Sequence, residues 1–265
     1  MRHAFLLAAL LLVLPLMAAC HAHAAKDAAA GHFVQRELVL DGHRHRYAVF
    51  VPAIAQPRPL PVVLFLHGSG ERGSDGHSQT TAGLGDWLRE HADAFPALVV
   101  FPQVPRDGEW MGDNARMALA TLDAASAEFG GDPARTYATG MSMGGYGTWE
   151  VALLAPRRFA ALVPVCGGVR APRSARPTLL VTAVACEADP YAALATRLKD
   201  VPAWLFHGAL DDVVSPADDR RLYETAREVG ADFRYTEYAD GNHNAWDATY
   251  ADPAMWQWLF AQRLH

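Results

Sequence analysis

Residues 135–155 read RTYATGMSMGGYGTWEVALLA, and at their centre stands Gly140-Met141-Ser142-Met143-Gly144. These five residues match G-x-S-x-G, and they end a strand-like run and open a helix-like run, which is the context that this motif requires. Glycines beside the serine permit a turn too tight for larger residues, and the N-terminus of the following helix favours negative charge there. A Gly-rich turn with an incidental serine is the alternative. The strand–turn–helix pattern favours Ser142 as an exposed nucleophile.

Strand-like and helix-like runs alternate on both sides of this turn. Pro61–Leu66 and Ala97–Phe101 are continuous apolar runs, typical of strands buried on both faces. Asp41-Gly42 predicts a hairpin turn between two earlier strands. The other predicted strands are 33–40, 47–51, 135–139, 160–165, 203–206 and 233–238, and the predicted helices are 113–129, 143–155, 216–229 and 253–264. This alternation predicts an α/β fold, with a mostly parallel central sheet of about eight strands and helices on both faces.

Charge and cysteine spacing exclude two classes of site. The formal net charge of the 265 residues is −6, and no cluster of Lys and Arg offers a footprint for phosphates. We therefore expect no nucleic-acid binding. No spacing among the three cysteines is typical of zinc ligands, so we predict no metal site.

The first 20 residues have the pattern of a signal peptide. A positive start precedes an apolar run from Ala4 to Met17 that is too short to span a bilayer. Leu16-Met17-Ala18-Ala19-Cys20 resembles a bacterial lipobox, in which the cysteine is lipidated, although Met17 stands where Leu is usual. Ordinary cleavage in the Ala-rich stretch after Cys20 is the alternative. We expect export to the periplasm or cell envelope, a flexible tether over residues 21–31, and membrane attachment only through lipid at Cys20.

A serine hydroxyl needs a base near pH 7, and the order of residues along the chain narrows the choice. In the fold to which G-x-S-x-G belongs, the serine is followed first by an acid and then by a histidine. Only His207, His243 and His265 follow Ser142. His265 is the last residue and His207 precedes the best acids, whereas His243 lies in a loop between the last strand and the last helix. The sequence therefore predicts His243 as general base.

The acid and the oxyanion-binding groups belong to two other loops. Asp211 and Asp212 both follow the strand at 203–206, and their side chains cannot both point at His243. The oxyanion needs two backbone N–H donors, which we predict on Met143, directly after the nucleophile, and on Ser69, in the Gly-rich loop after the third strand.

These motifs together resemble the bacterial predicted-peptidase and esterase branch of the α/β hydrolases, near dienelactone hydrolase and the catalytic domain of prolyl oligopeptidase. The matching stretches, from about residue 61 onward, are LHGSGERG, FPQVP, EWMGD, GDPARTYATGMSMGGYGTW, VPVCGG, VPAWLFHGALDDVVSP and YADGNHNAWDATYADPAMWQWL. The resemblance implies an α/β-hydrolase fold for residues 32–265. Its H-G-x-x-D-x-x-V pattern places the acid at Asp211, although Ser215 stands where the family has Pro.

The resemblance also implies hydrolysis of an ester or amide through an acyl-enzyme, without a cofactor. A small-molecule ester is the first expectation for the substrate, and a short peptide or amide is the second. A non-catalytic binding lipoprotein on the same scaffold is the rival from another class, because a fold alone does not determine function. The intact set of Ser, Asp, His and Gly residues argues against that rival.

Six further residues have expected roles near this site. Trp110 and Trp246 are candidate walls of the substrate pocket, with core packing as the alternative. Glu71 and Arg72 could form an ion pair that shapes the loop after the third strand. Cys166 and Cys186 could form a disulfide in an oxidising compartment, with two free thiols as the alternative. The second cysteine lies in residues 169–200, which look longer than in the usual family member.

Overall fold

One sheet of eight strands organises the chain in the computed structural model, which describes residues 30–53, 56–172 and 176–264. The strands are β1 (His32–Leu40), β2 (His43–Val51), β3 (Leu60–Leu66), β4 (Leu98–Pro102), β5 (Gly131–Met141), β6 (Ala161–Val165), β7 (Ala203–Gly208) and β8 (Phe233–Tyr238). Their order across the sheet is β1-β2-β4-β3-β5-β6-β7-β8, and β1 and β2 are antiparallel to their neighbours while β4 and the strands beyond it run parallel. The predicted signal peptide, the lipidation site Cys20 and nearly all of the tether lie outside the described residues.

The hairpin between the first two strands follows from two residues. Asp41 and Gly42 have φ angles of 49° and 79°, and the strand register closes directly around them by pairing Leu40 with His43. Two consecutive positive φ angles are the geometry of a type I′ turn, for which Asp-Gly is a favoured pair.

The sheet is covered on both faces. The helices are α1 (Leu84–His91), α2 (Asp113–Phe129), α3 (Met143–Leu154), α4 (Pro190–Arg197), α5 (Pro216–Val229), α6 (Trp246–Ala251) and α7 (Pro253–Ala261). Alternate residues of β3 point to opposite faces. Val62 and Leu64 pack with α2, α3, α4 and α5, whereas Val63 and Phe65 pack with α1, α6 and α7. These two apolar cores explain why β3 contains no exposed position.

The structure differs from the predicted elements in three places. The helix predicted over 253–264 is α7, which ends at Ala261, but the short helix α6 before it was not predicted; Asp252 between them is extended, and its side chain caps α7 by accepting a hydrogen bond from the Ala254 N–H. Helices α1 and α4 were not predicted. Each has eight residues, so it depends on packing against the sheet more than on its own periodicity.

The parallel strands place their carboxyl ends, and the loops that follow them, along one edge of the sheet. The turns after β3, β5, β7 and β8 carry the motifs singled out from the sequence. Among the described residues, no helix is long and apolar enough to cross a membrane, and no cluster of three metal-ligating side chains occurs.

Candidate active site

Ser142 stands at the turn between β5 and α3 with a backbone that few residues other than glycine adopt. Its φ is 54° and its ψ is −115°, and its N–H donates to the Val165 carbonyl at 2.9 Å. A Cβ atom at Gly144 would collide with the Leu66 carbonyl, and one at Gly140 would collide with the Gly144 carbonyl. The close approach of the backbone segments therefore requires glycine at both positions. This packing fixes the serine at the end of the sheet.

The structure brings Ser142 together with the predicted base and acid. In the loop between β8 and α6, His243 Nε2 lies 2.9 Å from Ser142 Oγ, and its Nδ1 lies 2.6 Å from Asp211 Oδ2. The side chain of His243 is 18% exposed, so its ring can be reached from solvent. With Nδ1–H donating to the carboxylate, Nε2 is free to accept the serine proton.

Asp211 is held by four hydrogen-bond donors. Its Oδ1 accepts from the N–H groups of Val213 and Val214 at 2.8 and 2.9 Å, and its Oδ2 accepts from His243 and His207. Burial opposes ionisation of this carboxyl, but the hydrogen bonds from the two histidines and the backbone outweigh burial and hold its pKa below the usual value. The neighbouring Asp212 is exposed.

His207 extends the hydrogen-bonded series, which the sequence reasoning missed. This fully buried ring lies with Nε2 3.1 Å from Asp211 Oδ2 and Nδ1 2.8 Å from Asp219 Oδ2. The signal was present in the sequence, because His207 and Asp211 are four residues apart in the H-G-x-x-D pattern. The position of His207 ahead of the acids excluded it as general base, but the same position allows its ring to contact the acid.

Two buried aromatic side chains fix the loop after β3. The His67 ring donates from Nδ1 to the Gly68 carbonyl at 2.6 Å and accepts at Nε2 from the Val104 N–H at 3.1 Å. Burial lowers the pKa of His67 to about 4, so the ring is neutral near pH 7. The Trp110 indole N–H donates to the His67 carbonyl at 2.9 Å. Both contacts hold the loop against the sheet.

The prediction that Trp110 contacts substrate is wrong. Only 2% of its surface is exposed, and the indole packs against the His67 ring and against Gly147 of α3, where a Cβ atom would clash with it. Trp110 therefore belongs to the hydrophobic core.

Of the two predicted oxyanion donors, Ser69 lines the cavity over Ser142 and Met143 directly follows Ser142. Ser69 starts a short 3₁₀ turn, and Met143 is the first residue of α3. Within the described parts of the chain, neither backbone N–H donates to a protein acceptor.

The ion pair expected between Glu71 and Arg72 does not form. The Arg72 guanidinium donates instead to the carbonyls of Ser69 and Gly108, at 3.0 and 3.3 Å. It still shapes the loop, but through backbone acceptors. Burial raises the pKa of Glu71, whose Oε2 has no hydrogen-bond partner among the described residues.

A cavity of about 260 Å³ opens over Ser142 and His243. Its lining is Gly68, Ser69, Gly70, Glu71, Met141, Ser142, Arg176, Val213, His243 and Trp246. Trp246 meets the His243 ring edge to face at 5.5 Å, so it remains a candidate substrate contact. Arg176 donates to Ser69 Oγ at 3.1 Å and to Glu109 at 3.3 Å, which ties the segment after β6 to the loop after β3. A cavity of about 280 Å³ beside β2 contains none of the reactive groups.

Of the two alternatives for Cys166 and Cys186, the structure has free thiols and no disulfide. Cys166 and Cys186 are free thiols, the first buried and the second exposed. Cys166 packs in the core on the α1, α6 and α7 face of the sheet, whereas Val184, close to Cys186, packs in the core on the other face. The sheet therefore separates the two neighbourhoods.

Comparisons with known proteins identify the fold. No protein-family model and no curated protein sequence matches the chain. Among solved structures, a thermostable esterase is 31% identical with a TM-score of 0.73, and the match covers 87% of this chain and 63% of that one. The chain thus spans less than two thirds of that esterase.

Two more distant structures share the architecture. Serine hydrolase F of Staphylococcus aureus, described as fluorophosphonate-binding, is 18% identical with a TM-score of 0.65, over 87% of this chain and 98% of that one. An acylaminoacyl peptidase of Pyrococcus horikoshii is 17% identical with a TM-score of 0.62, over 84% of this chain and 39% of that one. The predicted fold is confirmed: this chain is a protein of the α/β-hydrolase fold, similar in structure to esterases and other serine hydrolases.

Proposed function

We propose that the protein is a serine hydrolase that cleaves carboxylic esters through an acyl-enzyme on Ser142. The observation that carries this proposal is the unbroken contact from Ser142 Oγ through His243 to Asp211, beneath an open cavity. Similarity to a thermostable esterase supports the ester as substrate class.

The acylation step follows from this geometry. Ser142 Oγ attacks the ester carbonyl carbon while His243 Nε2 takes the hydroxyl proton. The carbonyl oxygen becomes an oxyanion and accepts hydrogen bonds from the N–H groups of Ser69 and Met143. The bond to the alcohol oxygen then breaks, and His243 returns the proton to that leaving oxygen. Each oxyanion donor is worth about 10²- to 10³-fold in rate.

Deacylation repeats the same chemistry with water. His243 takes a proton from water, whose oxygen attacks the acyl carbon, and then returns the proton to Ser142 Oγ as the acid leaves. Asp211 keeps Nδ1–H of His243 directed away from Ser142 and stabilises the imidazolium, without itself taking the proton.

Peptide or amide cleavage is the second candidate, since the fold is shared with an acylaminoacyl peptidase. An amide demands firmer positioning and better protonation of its leaving group than an ester. A non-catalytic binding protein is the rival that this set of groups disfavours, because binding alone requires no base at the serine.

The test is labelling and turnover by the protein and its Ser142→Ala variant. We expect a fluorophosphonate to label the wild type on Ser142, and we expect p-nitrophenyl esters to be hydrolysed faster than peptide anilides. Ser142→Ala should lower kcat by about 10⁶-fold with the fold intact by circular dichroism. Failure of the wild type to label and to turn over either panel would favour the binding protein, and faster anilide cleavage would favour the peptidase.

Export with lipid at Cys20 is a separate proposal, which rests on the N-terminal sequence pattern alone. Metabolic labelling with radioactive palmitate should mark the wild type and not Cys20→Ser. An unlabelled wild type whose mature N-terminus lies beyond Cys20 would replace lipidation with ordinary cleavage.

A further inference from the structure

A buried histidine lies between two carboxylates behind the proposed catalytic acid. The side chains of His207 and Asp211 are 0% exposed and that of Asp219 is 1% exposed. His207 is on β7, Asp211 follows that strand, and Asp219 is in the first turn of α5. Three groups that can carry charge are thus buried together, and His207 contacts the same oxygen of Asp211, Oδ2, that His243 contacts.

The acceptors around His207 determine where its hydrogens lie. Nδ1 faces a carboxylate oxygen of Asp219, and Nε2 faces both a carboxylate oxygen of Asp211 and the Val214 carbonyl, each at 3.1 Å. A carbonyl oxygen and an ionised carboxylate can only accept, so with both aspartates ionised each ring nitrogen carries a hydrogen. The ring is therefore an imidazolium that donates to Asp211 on one side and to Asp219 on the other.

The electrostatic balance agrees with this arrangement. Burial lowers the pKa of His207, but the hydrogen bonds to Asp211 and Asp219 overcome it and raise the pKa to about 10. Burial raises the pKa of Asp219, whose Oδ1 has no hydrogen-bond partner among the described residues. We place the shared proton on His207, because its two nitrogens face two carboxylates while Asp219 faces one imidazole.

The loop that carries Asp211 needs such an anchor. Leu210 is 65% exposed and Val213 37%, and Asp212 is exposed as well, so the residues directly beside Asp211 bury little apolar surface, and the first buried apolar side chain after it is Val214. The backbone N–H groups that bind Asp211 Oδ1 belong to the same loop and move with it. His207 instead belongs to a strand inside the sheet, and α5 holds Asp219 behind it.

We propose that His207 and Asp219 are positioning residues that hold the Asp211 carboxylate in the orientation in which Oδ2 meets His243. The inference rests on the proposed function, because it concerns the efficiency of the same hydrolysis. Neither residue touches the cavity over Ser142, so both act only through Asp211. Substrate binding is not affected by this role, whereas the chemical steps are.

The decisive measurement is steady-state hydrolysis of a p-nitrophenyl ester. It compares the single variant His207→Phe with the double variant that also carries Asp211→Asn. Phenylalanine fills a similar volume and removes both donors. We expect kcat to fall about 100-fold, as for misplacement of a catalytic group by about 1 Å, with KM within about threefold. In an Asp211→Asn background the same substitution should cost less than about threefold, because its target is already lost. An equal loss in both backgrounds, or an unchanged kcat in the single variant, overturns the proposal.

Two variants at Asp219 carry the test even if His207→Phe does not fold. Asp219→Ala should lower kcat about tenfold, as for one hydrogen bond to a charged group, while Asp219→Asn retains an acceptor for Nδ1 and should recover most of that loss. A purely structural role would lower stability in both variants without this recovery in kcat. Glu224→Gln, at an exposed acid on the same helix α5, is the matched control and should keep wild-type kcat.

A measurement without substrate separates this proposal from the proposed function. In protein with ¹⁵N-labelled histidine at pH 8, His207 should show two protonated ring nitrogens, and Asp219→Ala should abolish that signature. If the wild type neither labels nor hydrolyses esters but shows the signature, the function fails and the charged arrangement stands. If the wild type is active and His207 is neutral at pH 8, the proposal fails and the function stands.

Discussion

Two adjacent aspartates differ in what their side chains can reach. Asp211 is buried and accepts four hydrogen bonds, one of them from His243, while Asp212 is exposed. Although the two residues are adjacent in the loop, Asp211 can orient a histidine, whereas Asp212 is a solvated charge.

We predict that Asp211→Asn lowers kcat by up to about 10⁴-fold, because an amide in place of the carboxylate favours the wrong tautomer of His243. Asp212→Asn is the matched control and should change kcat less than about twofold. The measurement is initial rates on one p-nitrophenyl ester with both variants at equal stability. A larger loss in Asp212→Asn than in Asp211→Asn would show that the spacing of the H-G-x-x-D pattern misassigned the acid.

At the scale of elements, the loop after β3 depends on a residue distant in sequence. Trp110 precedes α2, yet its indole is buried against His67 and donates to the His67 carbonyl. The same loop carries Ser69, so the indole supports the cavity wall without lining it.

Trp110→Ala should therefore lower the free energy of unfolding by about 3–5 kcal/mol, the usual cost of truncating a buried aromatic residue. Trp110→Phe, which loses the hydrogen bond and one ring of the indole, should cost less, about 2 kcal/mol for the bond and the smaller cavity together. Urea denaturation measures both. Relative rates across a panel of esters should be unchanged in Trp110→Phe. Altered selectivity with unaltered stability would mean that the indole does reach substrate.

The sequence predicted the features that depend on a local backbone geometry. The tight turn at Ser142 and the hairpin at Asp41-Gly42 each require backbone angles that few residues permit. The sequence did not predict features that depend on how side chains pack in the folded protein. The sequence places Trp110 on the correct edge of the sheet, but periodicity does not show whether a side chain turns inward. The sequence also left open whether Cys166 and Cys186 pair, because it does not show that the sheet separates them.

At the scale of the whole molecule, the Asp219–His207–Asp211 arrangement connects β7, its loop and α5, and so couples stability to pH. Beyond these two carboxylates and the Val214 carbonyl, the charge of His207 also acts on Glu237 of β8, whose pKa is lowered mainly by the hydrogen bonds from Arg220 and to a smaller extent by His207. Arg220 pairs with Glu237, so the carboxylates that face His207 directly are those of Asp211 and Asp219. Loss of the proton from His207 would therefore leave buried negative charge without a cation.

The sign of the resulting pH dependence follows from linkage. The folded-state pKa of His207 is about 10, against an unfolded value of 6.5. Its contribution to the free energy of unfolding is thus fully present below pH 6.5 and is lost as the pH rises through about 10. We expect the wild type to lose on the order of a few kcal/mol across this window. Urea denaturation at pH 6, 8 and 10 measures the loss, and His207→Phe supplies the comparison. Because phenylalanine does not titrate, the variant should be less stable at pH 6 and its stability should decline less toward pH 10. Parallel declines in the two proteins would show that other groups cause the loss and that His207 is not the buried cation.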